Sequence, residues 1–486
     1  MHSSRDGRPD RPDDGRWRIF AVCVAAAILT VLDLSKVNVG LPSIEHSLDA
    51  DAAALQLIVA AYALAYGLAL VPAGRLGDIH SRKLMFVIGL AAFTATSIFC
   101  ALASDAQMLV LARVLQGFAG GLLPPQVLGI IQHQFQGTER GKALGIFGAM
   151  TGIATAAGPA LGGLLVEVGT PTDGWRLLFW MNVPVGAVAI LLALRLLPRS
   201  DRLQRLPVSL DITGITLLAI STLALMLPLV QTTGASSDNP WRWMWLGLAA
   251  IAGVAFVLWE RHYKSAGRSP AVDLELFRST GFRNGLLVAT SYLAVLPAVF
   301  LLAMLYLQDG LGLTALWAGI VAVPFAASAT VTAWVSGRLV AAYGRAVVVF
   351  GLCVVGVGFV SSIVAVSFLP TDTIPWGLGA TLFISGIGSG LVIAPNLTLT
   401  LSDVPINQAG VAGSVTQVGQ RIGNAVGVAL ATSIYFAILH DARSSDREQR
   451  YDDAFVGALM VAIAGLCTAL CVAIVDLRQR RGDPQE

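Results

Sequence analysis

The stretch GRLGDIHSRK at residues 74–83 separates two long apolar runs and has a shortened copy later in the chain. That copy, GRLVAAYGR at residues 337–345, begins with the same Gly-Arg-Leu and places a second arginine seven positions after the first, again between two apolar runs. Another pair of similar segments follows at GLLPP, residues 121–125, and GLVIAP, residues 390–395. The sequence therefore predicts two copies of one structural unit.

The composition is that of an integral membrane protein. Of the 486 residues, 55% are hydrophobic and 13% are charged, and the mean hydropathy is +0.72. Soluble globular proteins carry about 25% charged residues, so a set of water-soluble domains is excluded, as is a fibrous or disordered chain. The net charge of +2 gives no strong field that would attract nucleic acid.

Fourteen apolar runs are long enough to be membrane-spanning helices. A helix of about 20 apolar residues crosses about 30 Å of hydrocarbon. The first run is too long for a signal-peptide core, so we expect it to remain as a helix. The runs lie at approximately 18–41, 55–73, 84–103, 106–131, 143–166, 177–197, 212–230, 243–258, 285–307, 316–335, 346–369, 376–401, 410–439 and 454–475.

The repeat and the runs together predict an all-α membrane protein made of two six-helix halves with two helices inserted between them. Two parallel repeats of this kind enclose a cavity that can open to either side of the membrane. Such a cavity is complete in one chain, so a monomer suffices. The predicted parts are a polar tail at 1–17, an N-terminal half at 18–197, a linker at 198–283 with additional helices at about 208–230 and 242–259, a C-terminal half at 284–477 and a tail at 478–486.

The distribution of Lys and Arg predicts the orientation. With the N-terminus in the cytoplasm, 24 of the 32 basic residues fall in cytoplasmic segments and five in outer loops. The remaining three, Lys36, Arg113 and Arg421, lie inside predicted spans. The sequence thus predicts a multi-pass protein of the cytoplasmic membrane with both termini inside.

Several kinds of chemistry have no signature in the sequence. There is no G-x-x-x-x-G-K-[ST] motif for ATP hydrolysis and no H-E-x-x-H metal motif. The cysteines have no metal-ligand spacing and are predicted to be buried, reduced thiols; they are Cys23, Cys100, Cys353, Cys467 and Cys471. We therefore expect neither an enzyme nor a bound metal or cofactor.

Five segments resemble motifs of the major facilitator superfamily. Residues 74–83 resemble its cytoplasmic loop signature, and LARVLQG at 111–117 is similar to its second motif. GIATAAGPALGG at 152–163 resembles the motif of its antiporters. LDLSKVNVGLP at 32–42 is similar to the first-helix signature of the fourteen-helix drug–proton antiporter branch, and NVPVG at 182–186 fits the same branch.

The resemblance implies a proton-coupled antiporter that exports amphipathic small molecules and takes its energy from the proton gradient. It also implies two sets of residues that govern the change of conformation. The gating-loop set is Gly74, Arg75, Asp78, Arg82 and Lys83. The antiporter-motif set is Gly152, Gly158, Pro159, Gly162 and Gly163.

Physical arguments give both sets a role. In the loop, we expect Asp78 to accept hydrogen bonds at a helix N-terminus while the two arginines pair nearby. Ser81 stands where the family has a glycine. In the antiporter motif, the Gly-Pro pair is expected to kink the helix, and the other glycines are expected to admit a neighbouring backbone.

Asp33 is the only carboxylate well inside a predicted span of the first half. It stands 15 residues after Arg18, which is about 22 Å along a helix. Arg113 lies about 10 Å from the outer end of its own span, so the two side chains share nearly the same depth in a core of about 30 Å. A charge there is costly unless it is paired. We predict that the pair couples transport to protons; a static ion pair between two helices is the alternative.

Lys36 departs from the family pattern, which has an uncharged residue at this position. At a spacing of i, i+3, Lys36 and Asp33 can pair on one face of the helix. The sequence leaves two alternatives open, in which Lys36 contacts an anionic substrate or takes part in a proton relay.

Arg421 is predicted to be the only charge deep in the spans of the second half. With Gln417 and Asn424 it gives one helix a polar stripe, which favours a place on the wall of the cavity. The other cavity candidates are Asn38, Gln56, Tyr62, Tyr66, Gln116, Tyr306, Gln308 and Asn396.

The sequence therefore favours multidrug efflux by alternating access, with amphipathic molecules, protons and the lipid bilayer as partners. A dedicated exporter of one metabolite, lipid or self-made antibiotic is the first alternative. A membrane sensor or scaffold that transports nothing is the second, although such a protein has no need of charges in hydrocarbon.

Overall fold

The computed structural model describes residues 14–169, 173–198, 211–230, 240–402, 404–405, 408–441 and 447–482. Within these ranges some side chains fall outside the description, among them those of Gln56, Asp78 and Pro159. Sixteen α-helices are described, with no strand in these ranges, which confirms the all-α class.

The first eight helices belong to the N-terminal part of the chain. They are α1 (Asp14–Leu48), α2 (Ala52–Ile79), α3 (Arg82–Ala101), α4 (Ala106–Gly121), α5 (Leu123–Gln134), α6 (Gly137–Val168), α7 (Arg176–Trp180) and α8 (Asn182–Leu196). The others are α9 (Ile212–Val230), α10 (Met244–Ser265), α11 (Thr280–Leu305), α12 (Ala315–Tyr343), α13 (Arg345–Phe368), α14 (Ile374–Ser402), α15 (Ala409–Asp441) and α16 (Arg447–Gly482).

Two pairs of consecutive helices each form one candidate membrane span with a short interruption between the two helices. The stretches Ala106–Gln134, which contains α4 and α5, and Arg176–Leu196, which contains α7 and α8, each count as one candidate membrane span. In the described residues, 12 helices are long and apolar enough to cross a membrane, and Ile212–Pro228 is a shorter apolar helix. The 32-residue α6 packs along α1 and α12. The count of fourteen spans stays a prediction.

Two hydrophobic cores organise the bundle. One joins α1–α6 and α8 around residues such as Phe86 and Phe93. The other joins α11–α16 around residues such as Tyr292, Phe359 and Phe455. The α9–α10 pair packs against α2 and α15 and lies outside both cores. A smaller hydrophobic cluster around Phe282 connects the pair with these two helices. The exact boundaries of the halves, linker and tails stay predictions.

One end of the bundle is closed by contacts between the N-terminal and C-terminal helices. A Cβ added at Gly74 in α2 would lie 3.0 Å from the carbonyl oxygen of Gly410 in α15. A Cβ added at Gly337 in α12 would lie 3.2 Å from the Cα of Lys142 in α6. Both contacts stand beside the repeated loop stretches, at the end that we predict to be cytoplasmic.

The two loop copies turn in different ways, which explains why Ser81 replaces a glycine. In the second copy, Gly344 has φ +52°, a conformation that favours glycine. At the matching place in the first copy, Ser81 has φ −168°, and its hydroxyl group accepts a hydrogen bond from the backbone N–H of Leu84. Serine therefore fits there and caps α3.

The prediction for the cysteines is half right. All five are free thiols, and Cys23 and Cys100 are buried, but Cys353, Cys467 and Cys471 are exposed. An apolar run in a membrane protein has one face toward lipid, so an apolar neighbourhood in sequence does not require burial within the protein.

Helix α15 lies very close to α11 because three glycines face it. An added Cβ at Gly423 would overlap the carbonyl oxygen of Thr290, and one at Gly427 would overlap that of Ala294. Gly419 faces the Thr290 side chain. Small residues at a spacing of four let helix backbones approach closely in a membrane.

We expect Gly427→Ala to destabilise the protein by about 1–3 kcal/mol, because the new methyl group overpacks the α11–α15 contact. Thermal unfolding of the purified protein in detergent measures this loss. Gly319→Ala is the matched control, since nothing lies within 4 Å of a Cβ at that position. Equal stability of the two variants would contradict the observed packing.

Candidate functional site

Asp33 and Arg113 form a fully buried ion pair between α1 and α4. Arg113 Nη1 lies 2.5 Å from Asp33 Oδ2, and neither side chain has exposed surface. The guanidinium carbon of Arg113 also lies 4.1 Å from the centre of the Tyr62 ring. The depths calculated from the sequence thus correspond to a direct contact, which holds α1, α2 and α4 together.

Lys36 joins the same cluster from the next turn of α1. Its Nζ lies 3.4 Å from Asp33 Oδ1 and donates a hydrogen bond of 2.7 Å to Asn182 Oδ1. Asn182 Nδ2 in turn donates to Asp33 Oδ1 at 2.8 Å. Asp33 is therefore shared by two cations and one amide, all of them buried.

A ring of neutral polar groups surrounds these charged residues. We call the charged residues and this ring together the Asp33 cluster. Arg113 Nη1 donates to Gln116 Oε1 at 2.8 Å, and Gln116 Nε2 donates to Ser97 Oγ at 2.9 Å. Asn182 Nδ2 also donates to Ser97 Oγ, at 3.1 Å. The hydrogen bonds close a circuit that passes through α1, α3, α4 and α8.

The arrangement suits a group that binds and releases a proton. The proton affinity of a buried carboxylate depends on its charged neighbours and on the access of water, so it changes when the contacts separate or water enters. Because α1 supplies two of the charges and α4 and α8 supply the partners, relative movement of these helices alters the surroundings of Asp33.

The antiporter motif on α6 lies directly against this part of α1. An added Cβ at Gly158 would overlap the Ser35 side chain, and one at Gly162 would lie 2.8 Å from the carbonyl oxygen of Lys36. Gly163 makes only an ordinary contact, at 3.9 Å from Val39. The expectation for Gly152 is wrong as to packing, because nothing lies within 4 Å of its Cβ position and no neighbouring backbone approaches there.

The charged side chains of the gating loop bind backbone carbonyl groups. Arg75 Nε donates to Ala271 O at 2.8 Å, beyond α10, and Arg82 Nη1 donates to Gly129 O at 2.7 Å. Lys83 Nζ donates to the carbonyl oxygens at the end of α8. The role predicted for Asp78 concerns a side chain outside the described part.

Tyr62 and Tyr66 connect the Asp33 cluster with the C-terminal helices. Their ring centres are 5.9 Å apart on successive turns of α2. Tyr62 lies beneath Arg113 and donates a hydrogen bond to the carbonyl oxygen of Thr30, whereas Tyr66 lies 4.6 Å from the guanidinium carbon of Arg421 in α15. The two tilted rings therefore lie between a cation of each half.

The remaining cavity candidates do not share one location. Gln116 belongs to the Asp33 cluster, Asn38 is exposed, and Gln417 is half-buried on α15. Tyr306 is buried within the C-terminal helices, where its hydroxyl group donates to Asp452 of α16 at 2.5 Å. Gln308 is half-buried one turn after Met304. The side chain of Gln56 is outside the described part.

Asn396 takes part in a buried cluster that sequence reasoning missed. Arg345 pairs with Asp476 and donates to Asn396, and Asn284 donates to Asp476 at 3.0 Å. Because Arg345 begins α13 and Asp476 lies near the end of α16, the prediction that Arg421 is the only charge deep in the spans of the second half stays a prediction. Asp476 was overlooked because α16 continues to Gly482, past the end of the apolar run.

Asn182 and Ser97 are the other residues that the sequence did not single out. Both are uncharged, so neither stands out in an apolar helix as a charge does. The one signal was that Asn182 opens the segment NVPVG, which resembles the antiporter branch. Among the described residues, no three His, Cys, Asp or Glu side chains stand close enough to hold a metal ion.

Comparison with known proteins agrees with this architecture. The family model described as the Major Facilitator Superfamily matches residues 23–211 and 208–428. The probable actinorhodin transporter of Streptomyces coelicolor is 33% identical over 87% of this chain and 73% of its own length. The tetracenomycin C resistance and export protein of Streptomyces glaucescens is 31% identical over 88% of this chain and 77% of its own length.

A solved structure has the same fold. The proton:xylose symporter XylE superposes with a TM-score of 0.65 over 96% of each chain, at 15% sequence identity. The family match spans most of the sequence, from α1 into α15. The chain belongs to the major facilitator superfamily of membrane transporters.

Proposed function

We propose that this transporter is a proton-coupled antiporter that exports amphipathic small molecules across the cytoplasmic membrane and belongs to the fourteen-helix drug antiporter branch. The observation that carries the proposal is the buried Asp33 cluster, in which one carboxylate is shared by Arg113, Lys36 and Asn182. The names of the similar Streptomyces proteins, which refer to transport, resistance and export, support the direction of transport.

In this mechanism, the proton and the contacts of Asp33 compete for the same oxygen atoms. With the contacts made, the site is enclosed, as in the described conformation. When the helices separate and water reaches Asp33, a proton replaces the lost cation contacts. Release of that proton on the other side lets the ion pairs form again, so the protonation state and the conformation change together.

Helix α6 carries this change toward the other half. Its Gly158 and Gly162 lie against α1 beside Lys36, and its opposite part packs along α12. A shift of α1 therefore moves the surface that α6 presents to the C-terminal helices. The closed end near Gly74 and Gly337 must part for the predicted cytoplasmic side to open.

A dedicated exporter of one metabolite, lipid or self-made antibiotic has the same coupling site and differs only in its cargo. Efflux from loaded proteoliposomes separates these classes. Export of many unrelated amphipathic molecules under an imposed pH gradient supports multidrug efflux, and export of one supports the dedicated exporter. No gradient-driven movement of any cargo would contradict the proposal and favour a sensor or scaffold.

We expect Asp33→Asn to fold, because the amide keeps the shape of the carboxyl group, but with reduced stability, because Arg113 and Lys36 lose their counter-charge. It should lose gradient-driven efflux, because the amide cannot bind the coupled proton. Proteoliposomes with an imposed pH gradient measure the loss. Asp105→Asn is the matched control, since Asp105 is an exposed residue that caps α4 and asparagine caps equally well. Normal gradient-driven transport by Asp33→Asn would remove this residue from the mechanism.

Arg113→Ala should reduce both transport and the yield of folded protein. The variant leaves a buried carboxylate without its closest partner, and breaking a buried pair costs about 3–5 kcal/mol. The thermal stability of Arg113→Ala, Asp33→Asn and the double variant forms a double-mutant cycle. We expect clear non-additivity, as for residues in direct contact; simple addition of the two effects would be inconsistent with the ion pair.

Lys36→Thr should move the pH dependence of transport upward, because Asp33 loses a neighbouring cation that favours its ionised form. Organic cations should also be better tolerated as cargo. Transport rates across a pH series, together with substrate affinity, measure both effects. Weaker substrate binding with an unchanged pH profile would instead assign Lys36 to the substrate.

A further inference from the structure

Arg421 is an intramembrane cation whose hydrogen-bonding groups are unused. It lies near the middle of α15, is half-buried, and stacks on Tyr66 at 4.6 Å. Within the described ranges, neither a hydrogen bond nor an ion pair reaches its guanidinium group. A charge at this depth is costly unless it meets a partner or a water-filled space. The N–H donors of Arg421 are therefore free to bind a group that the described part of the protein does not supply.

The neighbouring polar side chains on α15 also lack hydrogen-bond partners among the described residues. Gln417 and Asn424 stand one turn to either side of Arg421, and both are half-buried. The described part of the chain offers no hydrogen bond to either amide. The glycines at 419, 423 and 427 face α11 on the other side of the helix. The packing of α15 thus turns a stripe of unsatisfied polar groups away from its own half.

Gln420 extends this polar surface into a cavity. A cavity of about 10 Å³, room for about one water molecule, lies between α11, α14 and α15. Its polar lining residues are Tyr292, Asn396, Thr416 and Gln420, and none of its lining residues is charged. The cavity therefore continues the polar surface of α15 into the C-terminal helices without adding a charge to it.

The charges around the two tyrosines are unbalanced. Lys36, Arg113 and Arg421 contribute three positive charges, whereas in the described residues Asp33 contributes one carboxylate, which contacts Lys36 and Arg113 but not Arg421. Electrostatic interactions are strong where water is excluded. An excess of positive charge at this depth attracts an anion and repels an organic cation.

We propose that Arg421, with Gln417 and Asn424, binds the anionic group of the cargo, and that the cargo is an amphipathic organic anion. This inference rests on the proposed function, because it takes a small molecule to be carried through the bundle. Beyond the proposed function, it specifies the charge of that molecule and the residue that recognises this charge. A guanidinium group with free N–H donors matches a carboxylate in a bidentate geometry.

Equilibrium binding to the full-length protein in nanodiscs tests the inference with three probes of the same shape. They are 2-naphthoate, the neutral 2-naphthamide and the cationic trimethyl(2-naphthyl)ammonium. The wild-type chain should bind the carboxylate most tightly. Arg421→Gln should weaken that binding about tenfold or more, as expected for loss of a charge-assisted hydrogen bond, and leave the amide nearly unchanged.

Two further variants keep the result interpretable. Arg421→Lys retains the charge and should retain part of the preference for the carboxylate. Arg338→Gln is the control, because Arg338 is also stacked on an aromatic ring, Trp334 at 5.4 Å, but is exposed near the end of α12. It should leave the binding of all three probes unchanged.

The contrary results are equally clear. Equal loss of all three probes in Arg421→Gln would show a structural role, and strongest binding of the cation, or no binding of the carboxylate to the wild-type chain, would overturn the inference. The assay needs no gradient. Carboxylate binding through Arg421 without pH-driven efflux would overturn the proposed function alone, whereas pH-driven efflux that is indifferent to Arg421→Gln would overturn this inference alone.

Discussion

The buried carboxylate of Asp33 is the constraint on which the rest of the N-terminal helices depend. Removing such a group from water is costly unless its oxygen atoms are fully engaged. Here the engagement needs Arg113 from α4 and Asn182 from α8, with Lys36 from the next turn of α1. Each partner is useful only if its helix stands at one particular depth and rotation. The carboxylate therefore fixes the arrangement of these helices as strongly as their apolar packing does.

The glycines of α6 are a consequence of the same arrangement. The side chains on one face of α1 are charged, so another helix packs closely against its backbone only if that helix has small residues at the contact. Gly162 of α6 is such a residue and lies against the backbone of Lys36. The adjacent rings of Tyr62 and Tyr66 extend the contact to Arg421 of α15. The Asp33 cluster and the surface between the halves are thus linked through packed side chains, which can transmit a change of position.

Parts of this arrangement are visible in the sequence because membrane depth follows from counting residues. The rise per residue of a helix put Asp33 and Arg113 at one level, and the structure confirms that they touch. Rotation about the helix axis cannot be counted in that way. Asn182 and Ser97, being uncharged, were missed, and Gly152 was wrongly expected to admit a neighbour. The Arg345–Asp476 pair was missed because hydropathy marks where a helix becomes polar, not where it ends.

In the proposed mechanism, the charge of the Asp33 cluster connects the protonation of Asp33 with the positions of the helices. With Asp33 ionised, the carboxylate and its two cations leave one excess positive charge; with Asp33 protonated, they leave two. Two like charges held together without water repel strongly, so the enclosed form suits the ionised carboxylate and the protonated form must separate or admit water. In the proposed mechanism this difference is the driving term. An organic anion beside Arg421 would offset the same excess of positive charge, so the charge of the cargo and the protonation of Asp33 act on one electrostatic balance.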